Sequence, residues 1–98
     1  MDAQTACDAL HRGLCLELQY DGFGRTVEVH AVGLTHDGHE MLSVWQVRGG
    51  SESNERQGWK NMRLDEILFS RVTDEKSEAP RQGYKRGNKA FATIICQI

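Results

Sequence analysis

Residues 27–47, VEVHAVGLTHDGHEMLSVWQV, set two apolar-rich runs on either side of Asp37–Gly38, and no other stretch constrains the chain as strongly. An Asp-Gly pair supplies the positive φ angles of a two-residue type I′ turn, which matches the right-handed twist of paired strands. The stretch predicts an antiparallel hairpin, and the turn predicts its register. His36 would face His39, Leu34 Met41, Val32 Ser43 and His30 Trp45, all on one side. The other side would carry Gly33 with Leu42, Ala31 with Val44 and Val29 with Gln46, ending near Val27. That side is small and aliphatic and suits a core. The first side is mixed, and it sets an imidazole opposite an indole.

The flanking segments fit the same architecture. Ala3, Ala6, Cys7 and Leu10 recur at helical spacing between Asp2, an N-cap residue, and Gly13, a stop, so a short helix is expected over Ala3–His11. LCLELQY then alternates, with Leu14, Leu16, Leu18 and Tyr20 on one side, and ends at a glycine turn over Asp21–Gly24. RGGSESNERQG, residues 48–58, is polar and aperiodic and reads as a long, mobile hairpin loop. WKNMRLDEILFSRVT predicts two short strands bent at Asp65–Glu66, with Met62, Leu64, Ile67 and Phe69 in the core. DEKSEAPRQG is a polar loop, and Ala92–Ile98 is strand-like by its isoleucines and threonine. This order predicts a mainly β fold: a small, strongly bent antiparallel sheet or barrel with one short N-terminal helix.

A length of 98 residues allows one domain, here 1–98 with its core at 9–73 and a basic C-terminal extension at 79–98. A hydrophobic content of 39% and a single proline exclude a disordered chain. The net charge of −2 excludes a surface uniformly positive for nonspecific DNA binding. The charge is uneven, however: residues 1–50 hold three Lys/Arg against seven Asp/Glu, and the last twenty residues hold four basic groups and no acid. No apolar run follows Met1, and none reaches the roughly 18 residues of a membrane span. The expectation is a soluble cytoplasmic protein. Cys7, Cys15 and Cys96 are odd in number and lack CxxC spacing, so all three are expected to be reduced and unpaired.

From Ala9 to Ile67 the chain resembles the WYL domain, an Sm-like small β-barrel found mostly in bacterial transcriptional regulators. The resemblance is carried by the helix running into LCLELQY with Tyr20 at its end and by Arg25-x-Val27 leading to His30. The turn at Gly38 and the run KNMRLDEI complete it. The chain departs from the family pattern at the naming tripeptide, here Glu40-Met41-Leu42, at Val29 in place of a proline, and at Glu66 in place of an arginine. The resemblance implies a ligand sensor in transcriptional or defence regulation, with Arg25, Lys60 and Arg63 at positions of anion contact. A helix-turn-helix reader usually precedes such a barrel. Here one short helix does, so a stand-alone sensor or adaptor barrel is expected.

His30 and Trp45 on one side form a stacking platform with a hydrogen-bonding edge, suited to a nucleotide ring. The alternative is that Trp45 packs under the N-terminal helix or a partner chain and His30 is a satisfied buried polar group. The expected ligand site is Tyr20, Arg25, His30, Trp45, Lys60 and Arg63. Arg81, Lys85, Arg86 and Lys89, interleaved with glycine and a tyrosine in GYKRGNK, suit a phosphate backbone and are the expected nucleic-acid contacts. His36 and His39 supply too few ligands for a metal site. No catalytic constellation appears, so neither an enzyme nor a cofactor is expected. The partner is then a nucleotide or a single-stranded nucleic acid. A second reading is a homodimer without a small ligand, closed by Val32, Leu34, Met41 and Trp45.

Overall fold

A computed structural model describes the whole chain, Met1–Ile98. Helix α1, Ala3–Arg12, is capped as its sequence dictates. The Asp2 carboxylate accepts the Thr5 N–H at 2.8 Å, and Gly13 closes the helix in the left-handed region at φ 65°. Six strands follow: β1 Leu14–Tyr20, β2 Phe23–Thr35, β3 Glu40–Gly49, β4 Gly58–Arg63, β5 Phe69–Lys76 and β6 Phe91–Gln97, with a 3-10 turn at Leu64–Glu66 between β4 and β5. All pairings are antiparallel, in the order β4-β3-β2-β1-β5. The fold is mainly β, and the sheet is bent rather than closed: β4 and β5 end the path without pairing, so the barrel alternative is not formed.

The long strand β2 makes this possible. Its first half pairs with β1, from Tyr20 opposite Phe23 to Leu16 opposite Val27. Its second half pairs on the same edge with β6, from Ala31 opposite Gln97 to Thr35 opposite Phe91. Only glycine fits at position 33, where a Cβ would lie 2.4 Å from the Thr93 carbonyl oxygen. No helix is long and apolar enough to cross a membrane.

The register of the β2–β3 hairpin differs from the one expected. The type I′ turn occurs instead at Asp21–Gly22, where both φ angles are positive, 51° and 78°. At the second Asp-Gly only Gly38 has a positive φ, 87°. Gly38 N–H donates to the Thr35 carbonyl at 3.0 Å and Thr35 N–H to that of His39 at 2.8 Å, which closes a three-residue loop. The Thr35 hydroxyl stabilises this longer loop by bonding both Asp37 and the His39 N–H. Pairing is thereby shifted by one residue, to Leu34 with Glu40, Gly33 with Met41, Val32 with Leu42 and Ala31 with Ser43.

A bulge at His30 then shifts it again, so that Val29 meets Val44, Glu28 meets Trp45 and Val27 meets Gln46. His30 and Trp45 are not a cross-strand pair. One extra residue flips the facing of all that precede it. Val27, Val29 and Val32 consequently all face the core, and Glu28 and His30 leave it.

The core consists of these valines with Leu16, Leu18, Leu42, Val44, Met62, Leu64 and Ile67, closed by Ala6, Cys7 and Ala9 of α1. Each fully buried leucine of the sheet contributes about 1.5–3 kcal/mol, whereas the helix adds only the small side chains Ala6, Cys7 and Ala9 to this core. Two core expectations are corrected. Phe69 is half exposed, because it lies opposite Gln19 on the side away from Leu16 and Leu18. Val32 is buried in the core, so Val32, Leu34, Met41 and Trp45 do not share an exposed surface.

The thiol expectation also fails. Cys7 of α1 and Cys96 of β6 form a disulfide with Cα atoms 6.0 Å apart, and Cys15 alone is free. No local spacing signals this pair, since 89 residues separate its members and only the packing of α1 beside β6 joins them. Such bonds persist in oxidising surroundings, so the thiols give no ground for a cytoplasmic location.

Candidate functional site

Turning Glu28 and His30 out of the core creates a polar need on the opposite face of the sheet, and the segment between β5 and β6 meets it. Residues 77–90 cross that face as a strap. Glu28 is 1% exposed. Its carboxylate accepts the Glu78 N–H at 2.7 Å and the Arg81 guanidinium at 2.7 and 3.2 Å. Buried charge is tolerated because partner and hydrogen bonds are both supplied.

His30 is fully buried. The Arg81 backbone N–H donates to its Nε2 at 3.0 Å, so Nε2 bears no proton and Nδ1–H donates to the Glu28 carbonyl at 3.0 Å. Burial holds the imidazole below its usual pKa, against the opposing pull of the Glu28 carbonyl. Tyr84 donates its hydroxyl to the Ile98 carbonyl at 2.9 Å, Gly87 N–H donates to the Gln97 side chain at 3.0 Å, and His36 Nε2–H donates to the Lys89 carbonyl at 3.1 Å.

Around these anchors the rings interlock. His30 meets Trp59 edge-on, with centroids 4.6 Å apart, and lies 5.2 Å from Tyr84. Trp45 and Trp59 are perpendicular at 5.5 Å, and the Arg81 guanidinium covers Trp45 at 5.4 Å. Trp45 is therefore packing beneath the strap, and its indole N–H is buried without a partner.

Beyond Arg81 the strap and sheet part to leave a cleft of about 530 Å³. Its floor is Ser43 of β3 with Trp59 and Asn61 of β4. Its wall is the strap from Gly83 to Lys89, and no carboxylate lines it. Trp59 keeps 38% of its surface exposed and is the open aromatic of the site. Lys85, Arg86 and Lys89 take part in no ion pair; the strap's other cation, Arg81, is held by Glu28 and Glu78. The cleft thus offers flat apolar surface, uncommitted positive charge and three small polar side chains, Ser43, Asn61 and Asn88, of which Asn88 already accepts the Ala90 N–H. A planar anion fits this chemistry.

The expected ligand residues do not converge. His30 and Trp45 lie behind the cleft as support. Arg25 is 5% exposed on the core side, bonded to the Gln46 side-chain oxygen at 3.2 Å and the Tyr20 carbonyl at 3.1 Å and stacked on Tyr20 and Phe23. Tyr20 donates to Glu66 at 3.1 Å, and burial raises its pKa. Arg63 is held by Asp65, which raises its pKa, and Lys60 reaches Ser51 and Ser53 in the 50–57 loop.

Of the expected nucleic-acid contacts, Lys85, Arg86 and Lys89 do line the cleft, whereas Arg81 is spent on Glu28. Sequence reasoning missed Glu28, Trp59 and Asn61 as site residues. One signal for Glu28 was present: an acid inside an aliphatic strand requires a cation, and the acid-free tail supplies one. Comparison with protein-family models, curated proteins and solved structures finds no match to this chain.

Proposed function

We propose that this chain is a binding module for a nucleotide-type ligand or a single-stranded nucleic acid, received in the cleft between strap and sheet. One observation carries the reading: the open ring of Trp59 lies beside Tyr84 and three unpaired cations, with no acid among them. Stacking on an exposed aromatic contributes about 1–3 kcal/mol per base, and each phosphate neutralised by Lys85, Arg86 or Lys89 releases counterions. His30, Trp45 and Arg81 hold the strap in position. The role implied by the WYL resemblance, a sensor in bacterial transcriptional or defence regulation, is compatible with such a site and is part of the proposal.

Binding of fluorescent oligonucleotides and nucleotides across a salt series tests it. Affinity should fall as salt rises, and the Lys85→Ala/Arg86→Ala/Lys89→Ala variant should flatten that dependence by about 0.7 in log–log slope for each phosphate no longer neutralised. A protein that ignores nucleotides and oligonucleotides, or binds them independently of salt, overturns the reading. If it also sediments as a dimer, the homodimer without a small ligand takes its place.

A further inference from the structure

We infer that Ser43 and Asn61 read the hydrogen-bonding edge of a phosphate-bearing nucleobase stacked on Trp59, so that the cleft discriminates between bases. The inference rests on the nucleotide reading above and adds the source of its selectivity.

β3 and β4 present two successive rungs on the strap face. Trp45 pairs with Trp59 in one, and Ser43 pairs with Asn61 in the next. Trp45 is covered by Arg81, whereas Trp59, with Tyr84 near-parallel to it at 6.4 Å, keeps 38% of its surface exposed, so the first rung offers one partly open aromatic surface. The second rung offers hydrogen bonds. Ser43 is only 7% exposed, lines the cleft, and its hydroxyl has no partner within the chain. Asn61 beside it is exposed, and its carboxamide is likewise uncommitted. The chain's buried unpaired side-chain atoms are Arg25 Nε and Trp45 Nε1, so the Ser43 hydroxyl opens onto the cleft and is free to bond what enters it.

Successive same-face residues of a strand lie roughly 7 Å apart, and directly paired residues roughly 5 Å. A ring stacked on Trp59 therefore reaches the polar rung with its edge. A carboxamide presents a donor and an acceptor side by side, the pattern by which side chains tell base edges apart. Lys85 and Arg86 on the facing wall carry charge without shape and suit the phosphate of any nucleotide. Edge and phosphate are thus read by different elements of the fold, and the two can be separated experimentally.

The test uses the full chain with four homopolymeric single strands and the four nucleoside monophosphates. The wild type should prefer one base by about tenfold or more. Asn61→Ala and Ser43→Ala should bring the four within about threefold while keeping the salt slope, and Lys85→Ala/Arg86→Ala should weaken all four alike. Asn61 is exposed, so its replacement leaves the fold intact. Asn61→Asp, which only accepts, should shift the preference toward guanine, whose N1–H and N2–H donate side by side. Monophosphates that bind as tightly as strands identify a free nucleotide as the source of the base; strands that bind far more tightly identify a nucleic acid. Equal affinity for all four bases in the wild type, or an unchanged ranking in Asn61→Ala and Asn61→Asp, overturns the inference and leaves the nucleotide reading standing. No binding to any probe overturns both.

Discussion

Replacing Glu28 with alanine should release the strap. The carboxylate is 1% exposed and accepts three hydrogen bonds, two of them from a guanidinium whose side chain is 25% exposed. Breaking a fully buried ion pair costs about 3–5 kcal/mol, most of it from the charge left unpaired. Arg81 is near enough to water to recover part of its hydration, so the lower end applies, about 3 kcal/mol. In a domain of this size that lowers Tm by roughly 12–24 °C.

Arg81→Ala should cost more, toward about 5 kcal/mol, because the carboxylate it leaves unpaired is only 1% exposed. The double variant should cost well below the sum of the two, because the second substitution removes a group whose partner is already gone. Thermal unfolding gives the stability terms, and amide exchange localises the change, with protection falling across 77–90 while the β1–β2 ladder keeps its order. Oligonucleotide affinity should fall too, although Glu28 does not line the cleft, since the strap forms its wall. A Glu28→Ala protein that melts within about 3 °C of the wild type, or whose strap exchanges no faster, would show that Glu28 does not anchor it.

Four further outcomes are expected. Burial lowers the His30 pKa from 6.5, so below that pH the unfolded chain takes up a proton that the folded chain refuses. The stability His30 contributes is fully present above about pH 6.5 and is lost as pH falls toward its folded value. The urea midpoint should decline from about pH 6.5 to 5 in the wild type and stay flat in His30→Gln, and an equal decline in both would refute the assignment. Trp45→Ala should cost about 3 kcal/mol of stability, whereas Trp59→Ala should mainly cost affinity, about 1–3 kcal/mol; fluorescence-monitored unfolding and titration of both variants separate the two, and a reversed pattern would invert their roles. Mass spectrometry of the oxidised protein should gain two hydrogens on reduction, and in chain-entropy terms opening the 89-residue loop should cost about 4.5 kcal/mol. Cys15, buried and with its pKa pushed up to about 11 by desolvation, should resist alkylation until the chain unfolds.

What could be read from the residues was local. Asp2 and Gly13 bound the helix because capping depends on neighbours three or four positions away. The alternation in LCLELQY, the bend after Arg63 and the strand ending at Gln97 follow from patterns a few residues long. The mainly β architecture with one helix was legible for the same reason. Asp-Gly, by contrast, is compatible with two loop lengths, and the Thr35 hydroxyl decided between them at Asp37–Gly38.

That one-residue shift alone would have turned His30 inward against Val44 and Val29 outward. The bulge reverses it because the core gains a valine and the imidazole gains the Arg81 N–H. His30 and Trp45 therefore share a face, as parity suggested, but as two displacements that cancel rather than as a pair. The Cys7–Cys96 bond, the strap over Glu28 and the cleft over the Ser43–Asn61 rung were decided only by the tertiary structure. Each joins segments roughly 20 to 90 residues apart, and such contacts are selected by the burial and hydrogen bonding of the whole chain, which no short window of sequence contains.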